Sequence, residues 1–416
     1  MKTVLGFDSW VGGASHFARL VPALRERGIN LVLLHLGSWG GDAGRPTTEK
    51  IGELEVRDIQ YYKGLRFDEI LQKESPAAVL FLSNDVFAHR AFNRYSLHAG
   101  IPTLRLYHGL VRVQSVNTGS QYKVNLINQA RFLLERLPKA LTKIWPCYLG
   151  ALSRTKGSKA DWMRFVTDIL HLSRGHYIAK GSEDSRTTAC AVYTQADVIH
   201  AVTKYGHKPE DVHVVGNPDL QNFGLQEDQI GSGLGKLDRK NWIVYVDTGL
   251  IYAGMVFQAA DDYFHHLIAT KDGLASQGYQ MKIKLHPDHF RTQFPARLQD
   301  AGIEVLSNKN FVSTLQESVG AIVEPSTAAL IPGLVGIPML LANHGKLSSQ
   351  TYGEVLVSYP RARSLNDVSK VQELLQEEAT SFDLRAVEGW IGENVGPLPT
   401  MDMPKRVASI VESLIR

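Results

Sequence analysis

The sequence predicts an α/β protein built from two doubly wound parallel-sheet domains. Three observations lead there. Short apolar, β-rich runs alternate with amphipathic helical runs from start to finish, as parallel strands covered by helices require. Runs 79–82, 243–246 and 321–323 are apolar without alternation, which suits strands buried on both faces. The pattern halts at a polar, Gly-rich stretch, LQEDQIGSGLGKLD, and restarts at NWIVYVDTG. Two blocks, each with its own sheet, follow from that break. A length of 416 residues accommodates two or three domains.

Taken in order, KTVLGF is the first strand, a helix near 14–28 closes at Gly28, and INLVLLHLG is the second strand. PAAVLFLSND and IPTLRLYHG repeat the plan of an apolar strand ending in polar residues, and ADVIHAVT and DVHVVGNP continue it. Residues 121–180, helical and basic around IWPCYLGALSRTKG, read as an insertion. The first domain is thus expected over 1–225 and a linker over 226–240. The second domain, 241–395, holds NWIVYVDTG, a helix near 254–277, YQMKIKLHP, GIEVLS, a helix near 311–318, GAIVEPS and IPMLLAN. Residues 396–416 end the chain with a helix from about 403, expected to pack back on the first domain.

Composition narrows the class. A chain 44% hydrophobic and 21% charged is ordinary for a globular protein. No apolar run approaches the roughly 18 residues of a membrane span. The N-terminus, MKTVLGFDSWVGG, lacks a signal peptide's apolar core. Two cysteines, Cys147 and Cys190, make neither a disulfide framework nor a metal cluster. A reducing, cytoplasmic location is the expectation. The net charge of +3 says little, but residues 121–180 hold eleven Lys/Arg against three Asp/Glu. Such a block attracts an anionic partner. We expect a peripheral contact with the inner membrane rather than with nucleic acid; a solvated helical face is the plainer reading of the same residues. No P-loop, G-x-S-x-G elbow or H-E-x-x-H pair occurs. GSGLG at 231–235 precedes a strand instead of following one, so it fails the dinucleotide fingerprint.

Open parallel sheets bind ligands beyond the carboxyl ends of their strands. Those ends carry Ser83-Asn84-Asp85, His108-Gly109 and Gly216-Asn217-Pro218 in the first half. In the second they carry Asp247-Thr248-Gly249, His286-Pro287, Glu324-Pro325-Ser326-Thr327 and Asn343-His344-Gly345. Turn chemistry alone explains part of this. In VEPSTAAL, however, Ser326 and Thr327 stand where a strand gives way to a helix. Their hydroxyls suit an N-cap, and equally an anion held by the first-turn amides. His286, ending MKIKLHP, has the chemistry to donate to the same anion or to protonate it as it leaves. Pro287 fixes the backbone after it, and Lys284 adds charge on the same face. Asp247 either caps the next turn or faces a reacting sugar carbon as nucleophile or charge stabiliser. Glu183, in AKGSEDSRTT, is a second carboxylate, suited to acid–base work or to an exposed helix start.

KLHPD, followed about forty residues later by EPSTAAL, resembles the paired HP and Ser/Thr motifs of bacterial sialyltransferases, polysialyltransferases and capsular Kdo transferases. LYHG (106–109) and VHVVGNPDL (212–220) resemble first-domain segments of capsule and teichoic-acid transferases. The resemblance implies the two-Rossmann (GT-B) architecture, with domains facing across a cleft. It implies a CMP-activated 2-keto acid sugar as donor and a surface glycan or glycolipid as acceptor. His286, Pro287, Ser326 and Thr327 would hold the donor phosphate, with Lys284, Glu324, Gly216 and Asn217 lining the nucleotide site. By resemblance to retaining β-Kdo transferases, Asp247 would be the nucleophile. Inverting transfer would need only a base, Asp85 or His108. With no pyrophosphate to bridge, neither metal nor cofactor is expected. A CDP-glycerol or ribitol phosphotransferase, a UDP-sugar 2-epimerase and a non-catalytic polysaccharide- or membrane-binding descendant share these features.

Overall fold

The computed structural model describes residues 1–9, 13–40, 44–84, 86–108, 137–173, 183–236, 238–249, 257, 259–345, 347 and 351–416. The chain forms two compact units. Among the described residues, the first comprises those of 1–108, 137–216 and 402–416, and the second those of 217–401.

The first unit's sheet has eight strands: β1 (Lys2–Asp8), β2 (Ile29–His35), β3 (Thr48–Ile51), β4 (Leu54–Asp58), β5 (Ala78–Phe81), β6 (Thr103–Leu106), β7 (Ala189–Val192) and β8 (Val212–Val214). Their order is β3-β4-β2-β1-β5-β6-β7-β8. All neighbours pair in parallel except β3 and β4, an antiparallel edge hairpin. Gly52, at φ +60°, makes that hairpin's two-residue turn possible. Phe7 of β1 anchors the core, stacked on Phe92 at 4.3 Å and edge-on to Phe67 at 5.5 Å.

The second sheet has six strands: β9 (Lys240–Val246), β10 (Gln280–Lys284), β11 (Glu304–Val305), β12 (Ser318–Val323), β13 (Met339–Ala342) and β14 (Ala362–Leu365). The order is β11-β10-β9-β12-β13-β14, parallel throughout. Val244, Val246, Ala321 and Val323 pack to one side, Ile243, Tyr245 and Ile322 to the other. Both faces are therefore buried, as the unbroken apolar runs require.

Four expectations need correcting. ADVIHAVT is not a strand but part of the helix Gln195–Tyr205. Thr194 and Asp197 cap its start reciprocally, and Gly206 at φ +69° ends it; the strand is the preceding ACAV. The helix near 14–28 breaks into Ala14–Ala18 and Val21–Arg25, with Pro22 in the first turn of the second. The stretch read as a linker is packed structure in the second unit: Gly231 and Gly233 N–H donate to the carbonyls of Leu334 and Val335 at 2.8 Å each. A Cβ at Gly233 would meet the Val335 carbonyl at 2.9 Å, so glycine is needed there. The first unit ends at Gly216, not at 225, and resumes at Asp402. The final helix, Met403–Leu414, lies in that unit, where Arg406 donates to the Val215 carbonyl at 2.9 Å and Arg27 pairs with Glu412.

Candidate active site

Strand β9 lies between β10 and β12, so Asp247, His286 and Glu324 end three adjacent strands. A strand places residues two apart on one face, and Tyr245 and Asp247 accordingly meet one polar cluster. Asp247 is 3% exposed. Its Oδ1 accepts from Gly249 N–H at 3.0 Å and from the Tyr263 hydroxyl at 2.9 Å. Its Oδ2 accepts from His286 N–H at 2.8 Å and lies 3.1 Å from His289 Nε2. Burial alone would raise the pKa of this carboxyl. The His289 ring and the two amides outweigh burial and hold it below its ordinary value.

Glu324 is equally buried. It accepts from the Tyr245 hydroxyl at 2.6 Å, the Tyr263 hydroxyl at 3.1 Å, and the Thr248 N–H and hydroxyl at 3.2 and 3.1 Å. His344 Nε2 lies 3.4 Å away. The Tyr263 hydroxyl thus reaches both carboxylates. Burial, then the neighbouring carboxylates, push Tyr245 and Tyr263 far above the usual phenol range. His266 lies against His344 with 4.1 Å between ring centroids. Burial and that neighbour lower its pKa to about 4, so it is neutral near pH 7.

This buried network holds His286 in place while leaving its imidazole 38% exposed. His286 Nδ1 accepts from Asp288 N–H at 3.3 Å. That bond assigns the proton of a neutral ring to Nε2, making Nε2 the donor. The Asp288 carboxylate lies 3.4 Å from Nδ1. Gly249, at φ +68°, passes so close that a Cβ there would sit 2.7 Å from the His286 ring. The DTG turn and the HP turn therefore fix one another. At the end of β12, Ser326 Oγ accepts from Ala329 N–H at 3.2 Å, which uses the hydroxyl as an acceptor and leaves its proton for donation. Ser326 and Thr327 are half-buried.

Other sequence-derived site residues fare differently. Lys284 does not offer its charge to the strand edge: it is buried, and Nζ donates to the Leu285 carbonyl at 3.0 Å. Burial lowers its pKa, an effect Asp247 partly opposes. Glu324 faces tyrosines and Thr248 instead of open space. Asn217 is buried and caps Pro218–Phe223 through Asp219 N–H at 3.0 Å. Gly216, at φ +90°, ends the first unit there; both act in the backbone turn where the chain changes units. Pro287 is exposed after His286 and opens the short helix Pro287–Arg291.

In the first unit, His108 ends β6, half-buried, with its ring 5.8 Å from that of His16. Glu183 opens the short helix Glu183–Ser185. Asp184, beside it, is buried where an exposed helix start was expected: it bonds to Tyr148 and pairs with Arg94 at 2.6 Å and Arg90 at 3.5 Å. Asp85 lies outside the described residues, as do residues 121–136 and 174–180 of the expected insertion.

No family model matches the chain, and no curated protein matches its sequence. Solved structures do match. The glycotransferase of kitacinnamycin aligns over 100% of this chain and 99% of its own, at 12% identity and a TM-score of 0.50. The chain has the GT-B fold. The wall teichoic acid polymerase TagF aligns over 100% of this chain and 89% of its own, with 10% identity and a TM-score of 0.48. Staphylococcus aureus MnaA, solved with UDP, aligns over 99% and 96%, with 12% identity and a TM-score of 0.46.

Within this GT-B chain, sequence reading missed Tyr245, Tyr263 and His289 as the supports of the strand-end residues. Tyr245 left a signal: a phenol in a strand buried on both faces needs a partner for its hydroxyl. Tyr263 and His289 left none, because each sits among ordinary polar residues and gains its role only through tertiary contact.

Proposed function

We propose that the chain is a glycosyltransferase whose second unit binds a CMP-activated acidic 2-keto sugar, of the Kdo or sialic acid type, and whose first unit binds a surface-glycan or glycolipid acceptor. One observation carries the reading. A half-exposed imidazole with its Nε2 as donor stands on the same sheet edge as two hydroxyl side chains, one strand apart. Strand spacing puts those two ends about 10 Å from each other, a gap suited to one phosphate gripped from both sides. His286 Nε2 and the Ser326 and Thr327 hydroxyls donate to the phosphate oxygens. They absorb the charge that develops as CMP leaves with the electron pair of the broken C–O bond.

The bonding of Asp247 argues against a nucleophile. Both of its oxygens are buried and engaged, so we assign it to positioning His286. Direct attack by the acceptor hydroxyl on the anomeric carbon, with inversion, fits that role better than a covalent sugar–aspartate. The hydroxyl proton then passes to a general base, a role for which we propose His108. The phosphate grip is made of protein donors alone, and we propose that it works without a metal.

Calorimetric titration with CMP, CDP and UDP, without and then with EDTA, tests this. CMP is expected to bind with measurable heat, and to bind more tightly than UDP. A preference for CDP would move the assignment to an alditol-phosphate transferase. Loss of CMP binding on adding EDTA would contradict the metal-free grip.

A further inference from the structure

We propose that the helix Lys159–Ser173 of the first unit lies against an anionic membrane surface. Among residues 159–170 of this helix, Phe165 and Asp168 are buried and Asp161 and Ile169 half-buried. At 100° per residue these four fall on one face. Phe165 packs there on Phe87 and Tyr148 at ring distances of 5.2 and 5.5 Å. A second apolar stripe runs beside it. Trp162, Met163, Val166 and Leu170 fall within a single arc of about 100°. Met163, Val166 and Leu170 are 65%, 51% and 51% exposed, and Trp162 is 39% exposed. A soluble helix that buries one apolar face ordinarily turns polar residues outward. This one turns out a tryptophan, a methionine and two aliphatic side chains.

Charge complementarity selects the occupant. Residues 137–170 contain Lys139, Lys143, Arg154, Lys156, Lys159 and Arg164 against two acids, Asp161 and Asp168. Both acids turn inward: Asp161 pairs with Arg94 at 3.2 Å and Asp168 with Arg90 at 2.7 Å. The outward side of the helix is left apolar and basic: Lys159 falls within the arc of the stripe, and it is exposed, as are Lys143 and Lys156 before the helix. Leu141, on the preceding helical segment, is also 51% exposed. Lysines and arginines around an exposed stripe of Trp, Met, Val and Leu suit the interface of a bilayer carrying anionic lipid. Among the described residues no helix is long and apolar enough to cross a membrane, so the contact is one of lying on the surface. A protein that delivers sugar to a lipid-linked acceptor would gain from it, but the inference rests on the helix alone and stands apart from the donor chemistry.

Vesicle co-sedimentation of the full chain tests the proposal, with phosphatidylglycerol–phosphatidylcholine vesicles set against pure phosphatidylcholine. The protein is expected to sediment with the anionic vesicles, less so as salt is raised. The exposed-site variant Met163→Asp/Leu170→Asp is expected to lose about tenfold or more of that binding with its thermal transition and CMP titration unchanged. Failure of the wild-type chain to bind anionic vesicles would overturn the proposal, as would a variant that binds like wild type. A wild-type dimer that the same two substitutions split, with no vesicle binding, would assign the stripe to a second copy of the chain and also overturn it.

Discussion

Replacing His286 by alanine is expected to lower turnover by about a hundredfold or more while leaving the fold intact. Removing one preorganised donor to a developing oxyanion typically raises the barrier by about 2.7–4 kcal/mol. The fold should survive because the ring is 38% exposed and the two backbone bonds that tie the HP turn down do not need it; only the 3.3 Å bond from Asp288 N–H to Nδ1 is lost. His286 N–H still donates to Asp247 at 2.8 Å, and the His289 N–H to His286 carbonyl bond, 3.1 Å, is also backbone. The loss should appear in kcat more than in KM, because the donor matters most as negative charge builds on the leaving phosphate. Steady-state kinetics beside a thermal melt reads both. A variant that melts normally and turns over normally would remove His286 from the site.

Asp247→Ala should act through stability. It deprives the His286 amide, the Gly249 amide, the Tyr263 hydroxyl and the His289 ring of one shared partner in a buried setting. Each buried donor left without its acceptor costs about 1–3 kcal/mol; a total of roughly 3–5 kcal/mol is equivalent to a fall of about 6–20 °C in the transition of a unit of this size. The same carboxylate sets an acid limit. Its folded pKa lies below the ordinary 3.8, so its contribution is fully present above that value and is lost as pH falls through the lower folded value. Wild-type stability should therefore fall below about pH 4, and the alanine variant should lack that part of the fall. A nucleophile would behave otherwise: Asp247→Ala would keep its stability, and acid-quenched turnover of the wild type would trap a sugar on Asp247. We expect no such adduct.

Much of the architecture was legible because it follows from period and punctuation. Unbroken apolar runs at 79–82, 243–246 and 321–323 gave central strands, and polar residues after them marked the carboxyl edge. Where reading failed, local and tertiary signals conflicted. ADVIHAVT has a strand's β-branched content, yet Thr194 and Asp197 cap it as a helix. Thr48–Ile51 and Ala362–Leu365 are edge strands whose half-polar sequences carry little of a buried strand's signature. The site was legible in part. HP and PST stood out as chemistry at strand ends, and both lie on one edge. Which polar groups are presented and which are buried was not legible: Lys284, Glu324 and Asp247 look alike in sequence to groups that grip a ligand, and burial alone separates them.

A crystal structure of the chain with CMP tests the central claim most directly. The phosphate is expected at the carboxyl ends of β10 and β12, with His286 Nε2 and at least one hydroxyl of Ser326 or Thr327 within hydrogen-bond distance of its oxygens, and with Asp247 still bonded to His286 N–H. CMP bound elsewhere, or bound at that edge with His286 turned away from the phosphate, would contradict it.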